Sequence, residues 1–253
     1  RLRDVAHTLS ATAQAEALVE ADLVHVPSEA AAAQLLRYYP EIAGRLRVVP
    51  LGVAVTKATP VTSPERAHTI ITVGRFDHAK GTADLVAALP LLLAALPDAV
   101  ARVVGGVPDN PRSERRWRAR IEAAGGGRVQ CLGWLAPSAV MAELAGAAIG
   151  LFPSHAETFG LAVLEAMASG VAVVASDVPG HRALLTAGGP NSGSAPRGVL
   201  VPVGSPPALG DAVVALALNP THASALGASG RSFAASLAWP QIWPQWQALL
   251  AGL

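Results

Sequence analysis

From Thr69 onward the chain alternates short β-branched runs with helical patterns, and this alternation constrains its fold more than any other feature. The runs are TIITV (69–73), ARVVG (101–105), RVQCL (128–132), AIGLF (148–152), VAVVAS (171–176) and GVLVPV (198–203). Helical patterns separate them at 82–96, around Trp117, over PSAVMAELAGA and GLAVLEAMA, and near His181 to Ala187, and two more follow at 207–218 and 222–236. Strand, helix, strand, helix at this spacing predicts an α/β fold: a parallel sheet with helices on both faces. The unbroken apolarity of AIGLF and VAVVA marks buried central strands. In such sheets ligands sit at the carboxyl ends of the strands, so strand-to-helix loops are where chemistry is expected.

Residues 16–56 read as helix, strand, helix, strand, with DLVHV and RLRVVPLGV as the strands and Ser28 as the N-cap of the helix between them. Thr56 to His68, TKATPVTSPERAH, carries two prolines and no apolar periodicity, so 57–68 is expected to be a linker between domains. At the far end Trp239, Trp243 and Trp246 have the i, i+4, i+7 spacing of one helix face. Pro240 and Pro244 imply a late helix start or a kink. The expectation is packing on the chain's own protein. The alternative is a membrane-interface belt, but no Lys or Arg follows Arg231 to meet anionic lipid.

Composition removes several classes. With 51% hydrophobic and 15% charged residues the chain is not disordered, and a formal charge of +1 gives no whole-chain case for nucleic acid. The longest uncharged stretches, such as Leu85 to Pro97, are too short to span a bilayer. One cysteine, Cys131, allows neither an internal disulfide nor a cysteine metal cluster. The chain starts at Arg1 without a signal-peptide pattern, so the expectation is a cytoplasmic protein, here an excerpt of something longer. Among 19 basic residues only Lys57 and Lys80 are lysines, so each is informative.

Two loops stand out. The first, after TIITV, reads Gly74-Arg75-Phe76-Asp77-His78-Ala79-Lys80-Gly81. Arg75 and Lys80 with glycine backbone nearby suit a diphosphate, Arg forking onto two oxygens and Lys serving as a movable point charge. A solvated basic loop is the alternative, and His78 is assigned no role. The second, Pro153 to Leu161, runs from AIGLF into a helix whose N-terminus at Gly160 offers free N–H groups and the positive dipole end to phosphate or sugar oxygens. Glu157 before this helix and Glu165 in its second turn are expected to face one cleft, with Leu161, Leu164 and Met167 anchoring the other face. Glu165 as an exposed or capping acid is the alternative. Trp134, after RVQCL, is expected in the core, with packing against a base as the alternative.

Together these residues resemble the donor domain of the retaining GT-B glycosyltransferases, the family 4-like glycosyl transferases group 1. The match rests on VGRFDHAKG (73–81), the Glu-x7-Glu pair Glu157/Glu165 within PSHAETFGLAVLEAMASG, and VAVVASDVPG (171–180). Weaker echoes are RVQCLGW, GVLVPVG, ADLVHVPSEA and RLRVVPLGV, in the family's order.

The resemblance implies a Rossmann-like nucleotide-sugar-binding domain over 69–236. It implies that residues 1–56 are the last part of an acceptor-binding Rossmann-like domain, and that 237–253 form a helix crossing back to it. It implies transfer of a sugar from a UDP-, GDP- or ADP-sugar to a sugar, lipid or small-molecule acceptor with retention, the present chain carrying the donor-binding half. Arg75 and Lys80 would neutralise the diphosphate and stabilise the leaving group. Glu165 would hold the ribose hydroxyls, and Glu157 would hold the sugar together with Thr158, Phe159, Gly160 and Leu161; Gly74 joins the donor-binding set.

No nucleophilic side chain is required in the family's front-face chemistry. The chain has no Asp-x-Asp pair of the metal-dependent GT-A type, so no metal or other cofactor is expected. Partners would exclude nucleic acid and include a membrane surface through the acceptor domain, at the inner face. There are two departures. Pro179-Gly180-His181-Arg182-Ala183 has Ala at an acidic position, and Ser205 replaces Asp, where it is expected to cap the next helix. The competing reading is a nucleotide-sugar-binding module, or a degenerate remnant, without catalysis.

Overall fold

The computed structural model describes residues 13, 15–55, 68–186 and 195–252. The expected linker at 57–68 therefore lies outside the described residues, save for His68.

In the front part residues 15–20 are helical, and β1 (Val24–Val26) pairs in parallel with β2 (Leu46–Val48). Helix α1 (Glu29–Tyr38) connects them, and Ser28 caps it as expected, its Oγ accepting from Ala31 N.

The main sheet has six parallel strands: β3 (Thr69–Val73), β4 (Val100–Val104), β5 (Val129–Gly133), β6 (Ile149–Phe152), β7 (Ala172–Ser176) and β8 (Val199–Val201). Helices α2 (Thr82–Ala95), α3 (Pro111–Ala124), α4 (Pro137–Ala145), α5 (Leu161–Ala168) and α6 (Pro179–Leu185) make the crossovers, and α7 (Pro206–Ala217), α8 (Pro220–Ser236) and α9 (Trp239–Ala251) follow. β6 and β7 are buried at every position, as their continuous apolarity predicts. Successive residues of each central strand enter opposite cores. Ile70, Val103, Leu151 and Val174 pack with α2 and α7, whereas Ile71, Val104, Phe152 and Val173 pack with α5 and α6. The period-2 geometry of a strand thus gives one sheet two apolar faces, each covered by helices.

The strand order is β5-β4-β3-β6-β7-β8. From β3 the chain winds outward to β5, then returns to β6 beside β3 and winds the other way. The loops leaving β3 and β6 therefore diverge, which opens a crevice at this switch point.

Helix α9 starts at Trp239, without the delay expected from its prolines, because Pro240 sits in the first turn where no N–H is needed; Pro244 lies inside the helix. The helix packs on the front part. Trp246 Nε1 donates to Pro50 O at 3.2 Å and its ring lies 4.4 Å from that of His25. Gly52 is pressed so closely on Trp239 that a Cβ there would fall 2.4 Å from the indole. Trp243 is half exposed. Ser205 stands at the N-cap of α7, but its side chain makes no capping bond. No helix among the described residues is long and apolar enough to cross a membrane.

Candidate functional site

The β3–α2 loop is organised by a residue that the sequence reading did not single out. Asp77 Oδ1 accepts from Lys80 N at 2.8 Å, its carbonyl accepts from Thr82 N and Oγ1, and its Oδ2 lies 3.1 Å from Arg75 Nη2. An Asp followed by a tight turn and Gly was the available signal, since Asp side chains bond backbone N–H groups a few residues on. The loop is also tied to β4: Gly74 N donates to Val104 O and Phe76 N to Gly106 O.

The β6–α5 loop lies directly against it. His155 N and Ala156 N both donate to Ala79 O, and His155 Nε2 is 2.6 Å from Asp84 Oδ2 in the first turn of α2. His78, given no role from sequence, sets its ring edge-on to His155 at 4.7 Å. The approach depends on Gly81, whose φ is +64° and where a Cβ would sit 1.8 Å from Pro153 O.

Across this seam Lys80 Nζ and Glu157 Oε2 are 2.5 Å apart. Burial alone would raise the Glu157 pKa. The hydrogen bond and charge of Lys80, helped by His181 and the Phe159 N–H, outweigh it and hold the carboxyl below its ordinary range. Glu157 is also held through its backbone, its carbonyl accepting from Gly180 N at 3.1 Å. A Cβ at Gly180 would meet that carbonyl at 2.7 Å, so α6 can only approach this loop through a glycine.

The sequence-predicted residues divide into two groups. Gly74, Arg75, Lys80 and Glu157 line one crevice, with Phe76, Pro153, Ala162 and His181. Gly160, at φ +93°, starts α5 without a side-chain cap, which leaves the first-turn amides at the crevice edge available to a ligand. Phe159 is buried in the core beneath. Thr158 faces the front part, where its carbonyl accepts from Ser28 Oγ at 2.8 Å.

Glu165 lies in the second turn of α5. It is half-buried on α5, and burial raises its pKa. Leu161 is exposed rather than an anchor, whereas Leu164 and Met167 are fully buried. Trp134 is exposed, not in the core: Gly133, at φ +71°, turns the chain out at the end of β5, and the indole lies beside Gly106 and Glu114.

His181 is a second residue that sequence reasoning missed. It is 1% exposed yet lines the crevice, and its Nδ1 lies 3.0 Å from Ser176 O. Burial lowers its pKa, against the opposing pull of the Ser176 carbonyl and Glu157, so the ring is neutral at neutral pH. A lone His beside Arg182 near the start of a short helix carried no signal of this placement.

The crevice therefore combines two cations, a helix N-terminus, a paired carboxylate and a buried imidazole. These groups suit an anionic diphosphate joined to a hydroxyl-rich group. Among the described residues no cluster of His, Cys, Asp and Glu could hold a metal.

Comparison with known proteins places this arrangement. A family model described as Glycosyl transferases group 1 matches residues 67–219. The chain is 36% identical over 130 residues to a phosphatidyl-myo-inositol mannosyltransferase of Mycolicibacterium smegmatis, covering 49% of this chain and 31% of the relative. It is 31% identical over 236 residues to a D-inositol 3-phosphate glycosyltransferase of Corynebacterium jeikeium, covering 87% of this chain and 54% of the relative. The chain thus spans about half the length, or less, of these relatives.

Among solved structures, sucrose-phosphate synthase from Thermosynechococcus elongatus superposes with a TM-score of 0.77 at 30% identity, over 93% of this chain and 59% of that one. Anabaena HepE in complex with UDP and glucose superposes at 0.76 with 22% identity, over 94% and 65%, a likeness of fold. With the loops, the sheet order and the family match in agreement, the chain belongs to the glycosyl transferases group 1, the glycosyltransferases of GT-B type.

Proposed function

We propose that this chain carries the donor-binding half of a retaining hexosyltransferase that uses a nucleotide diphosphate sugar. The observation that carries the reading is the Lys80–Glu157 pair, which sets a cation and a carboxylate side by side at the switch point beside the α5 N-terminus.

In this reading Arg75, Lys80 and the first-turn amides of α5 bind the diphosphate. Glu157 with the backbone of Phe159, Gly160 and Leu161 holds the sugar, and Glu165 holds the ribose hydroxyls. The bond from the sugar C1 to the diphosphate oxygen breaks as the acceptor oxygen bonds C1 on the same face. The acceptor's proton passes to the departing phosphate, and the cations stabilise the charge that develops there. No metal is required. A neighbour crystallised with UDP and glucose supports a nucleotide-sugar donor, and the names of the relatives support an inositol-bearing acceptor.

Residues 69–236 are then the donor domain, and residues 1–56 belong to the acceptor side. Helix α9 bridges the two, as its Trp246 contacts with His25 and Pro50 support. A cytoplasmic site of action, beside the membrane when the acceptor is a lipid, fits this chemistry.

Calorimetric titration with UDP, GDP and ADP tests the reading. At least one should bind, and Lys80→Ala and Glu165→Ala should each weaken it. Absence of binding at millimolar concentration, or indifference to both substitutions, would overturn the donor-site assignment. A sugar-transfer assay separates an enzyme from a binding module without turnover.

A further inference from the structure

We propose that His181 is a specificity-determining residue of the donor-sugar subsite, its Nε2 accepting a hydrogen bond from a hydroxyl of the bound sugar. The inference rests on the donor-site reading above and extends it to a residue outside the two loops assigned to the donor, just after the stretch VAVVASDVPG.

The tautomer follows from the neighbours. Ser176 O is an acceptor only, so Nδ1 must carry the hydrogen and donate to it, at 3.0 Å. That leaves Nε2 of the neutral ring as a lone-pair acceptor. Among the described residues nothing hydrogen-bonds to it. The side chain is only 1% exposed, yet Nε2 is not one of the fully enclosed unpartnered atoms among the described residues, so this acceptor opens onto the crevice, where a ligand can meet it.

The geometry fits a ligand. His181 lines the crevice with Lys80 and Glu157, and it interacts electrostatically with both. Its Cδ2 edge, adjacent to Nε2, faces Gly160: a Cβ there would come within 3.2 Å of Cδ2. The glycine that frees the α5 amides thus also leaves room for a group beside the imidazole.

Chemistry then selects the partner. A lone pair attracts donors, so phosphate oxygens, which only accept, are excluded. Lys80 is engaged by Glu157. A sugar hydroxyl can donate to Nε2 and accept from neighbouring N–H groups at once. A site that pairs a buried acceptor with a hydroxyl also rejects the analogue lacking it, which makes the residue one of specificity rather than affinity alone.

The test uses the two amide mimics of histidine. Asn can reproduce the Nδ1–H bond to Ser176 but has no group at the Nε2 position; Gln places an acceptor near Nε2. Calorimetry compares UDP-glucose and GDP-mannose with UDP and GDP on wild type, His181→Asn, His181→Gln and Glu157→Gln. His181→Asn is expected to weaken the nucleotide sugar that binds by about tenfold, the scale of one lost hydrogen bond, while leaving the nucleoside diphosphate unchanged; His181→Gln recovers most of the loss.

In ¹⁵N spectra of wild type, the His181 Nε2 resonance should move when the nucleotide sugar is added and stay in place with UDP or GDP. The proposal is overturned if His181→Asn binds the nucleotide sugar like wild type, if it loses nucleoside diphosphate equally, or if Nε2 does not respond. If those failures occur while Glu157→Gln still weakens the sugar nucleotide, the donor site stands and the role of His181 falls. If wild type binds neither nucleotides nor nucleotide sugars, both fall together.

Discussion

Lys80 and Glu157, 77 residues apart in the chain, meet across two loops with Nζ and Oε2 separated by 2.5 Å. The pair is partly exposed, so its worth lies less in stability than in fixing a cation and a carboxylate at one place. Lys80→Ala should weaken UDP or GDP binding by roughly 10- to 100-fold, the value of a hydrogen bond to a charged group. Arg75→Ala should cost less, because Arg75 is more exposed and shared with Asp77. Isothermal titration measures both.

The same pair sets an acid dependence. Glu157 has a folded-state pKa below its ordinary value of 4.5, so its contribution to stability is present above that value and is lost as pH falls through the lowered one. Urea unfolding of wild type and Glu157→Gln should therefore show a wild-type advantage at pH 6 that shrinks below about pH 4.5. An advantage that grows on acidification would contradict the assignment.

Glu165 should behave in the opposite sense. Burial raises its pKa, so the folded state holds the proton more tightly than the unfolded chain and stability declines as pH rises from the ordinary carboxylate range through the raised value. Glu165→Gln is expected to raise the unfolding midpoint at pH 7 and to do nothing below pH 4. If Glu165 holds the ribose, the same variant weakens nucleotide binding. Thermal unfolding and titration on one preparation would reveal this trade of binding against stability.

Gly81 is where the two loops touch, and a side chain there meets both a left-handed backbone and the Pro153 carbonyl. Gly81→Ala should destabilise the protein by at least about 2 kcal/mol, from the conformational strain and the displaced contact together. Chemical denaturation gives the value. A loss below about 0.5 kcal/mol would show that the seam can part freely.

Trp246 anchors α9 to the front part through His25 and the Pro50 carbonyl. It is only partly buried, so Trp246→Ala should cost about 1–3 kcal/mol, below the range of a core tryptophan. Amide exchange should accelerate along Trp239–Ala251 while β6 and β7 stay protected. Uniform acceleration would mean that helix and sheet unfold as one unit.

The sequence by itself determined the parallel sheet, the burial of β6 and β7 and the two loops that carry the chemistry. Each of these follows from local periodicity, from continuous apolar runs, or from charged and glycine residues at a strand end. Only the tertiary structure decided which groups meet. Lys80 reaches Glu157 because β3 and β6 are neighbours at the reversal of strand order, a non-local pairing that no window of sequence contains. His181 reached the crevice because β7 and α6 carry it to the loop that holds Glu157, and Trp134 turned outward at Gly133. Strand order and positive-φ glycines set these directions, and they act in three dimensions, where the spacing of residues along the chain has no say.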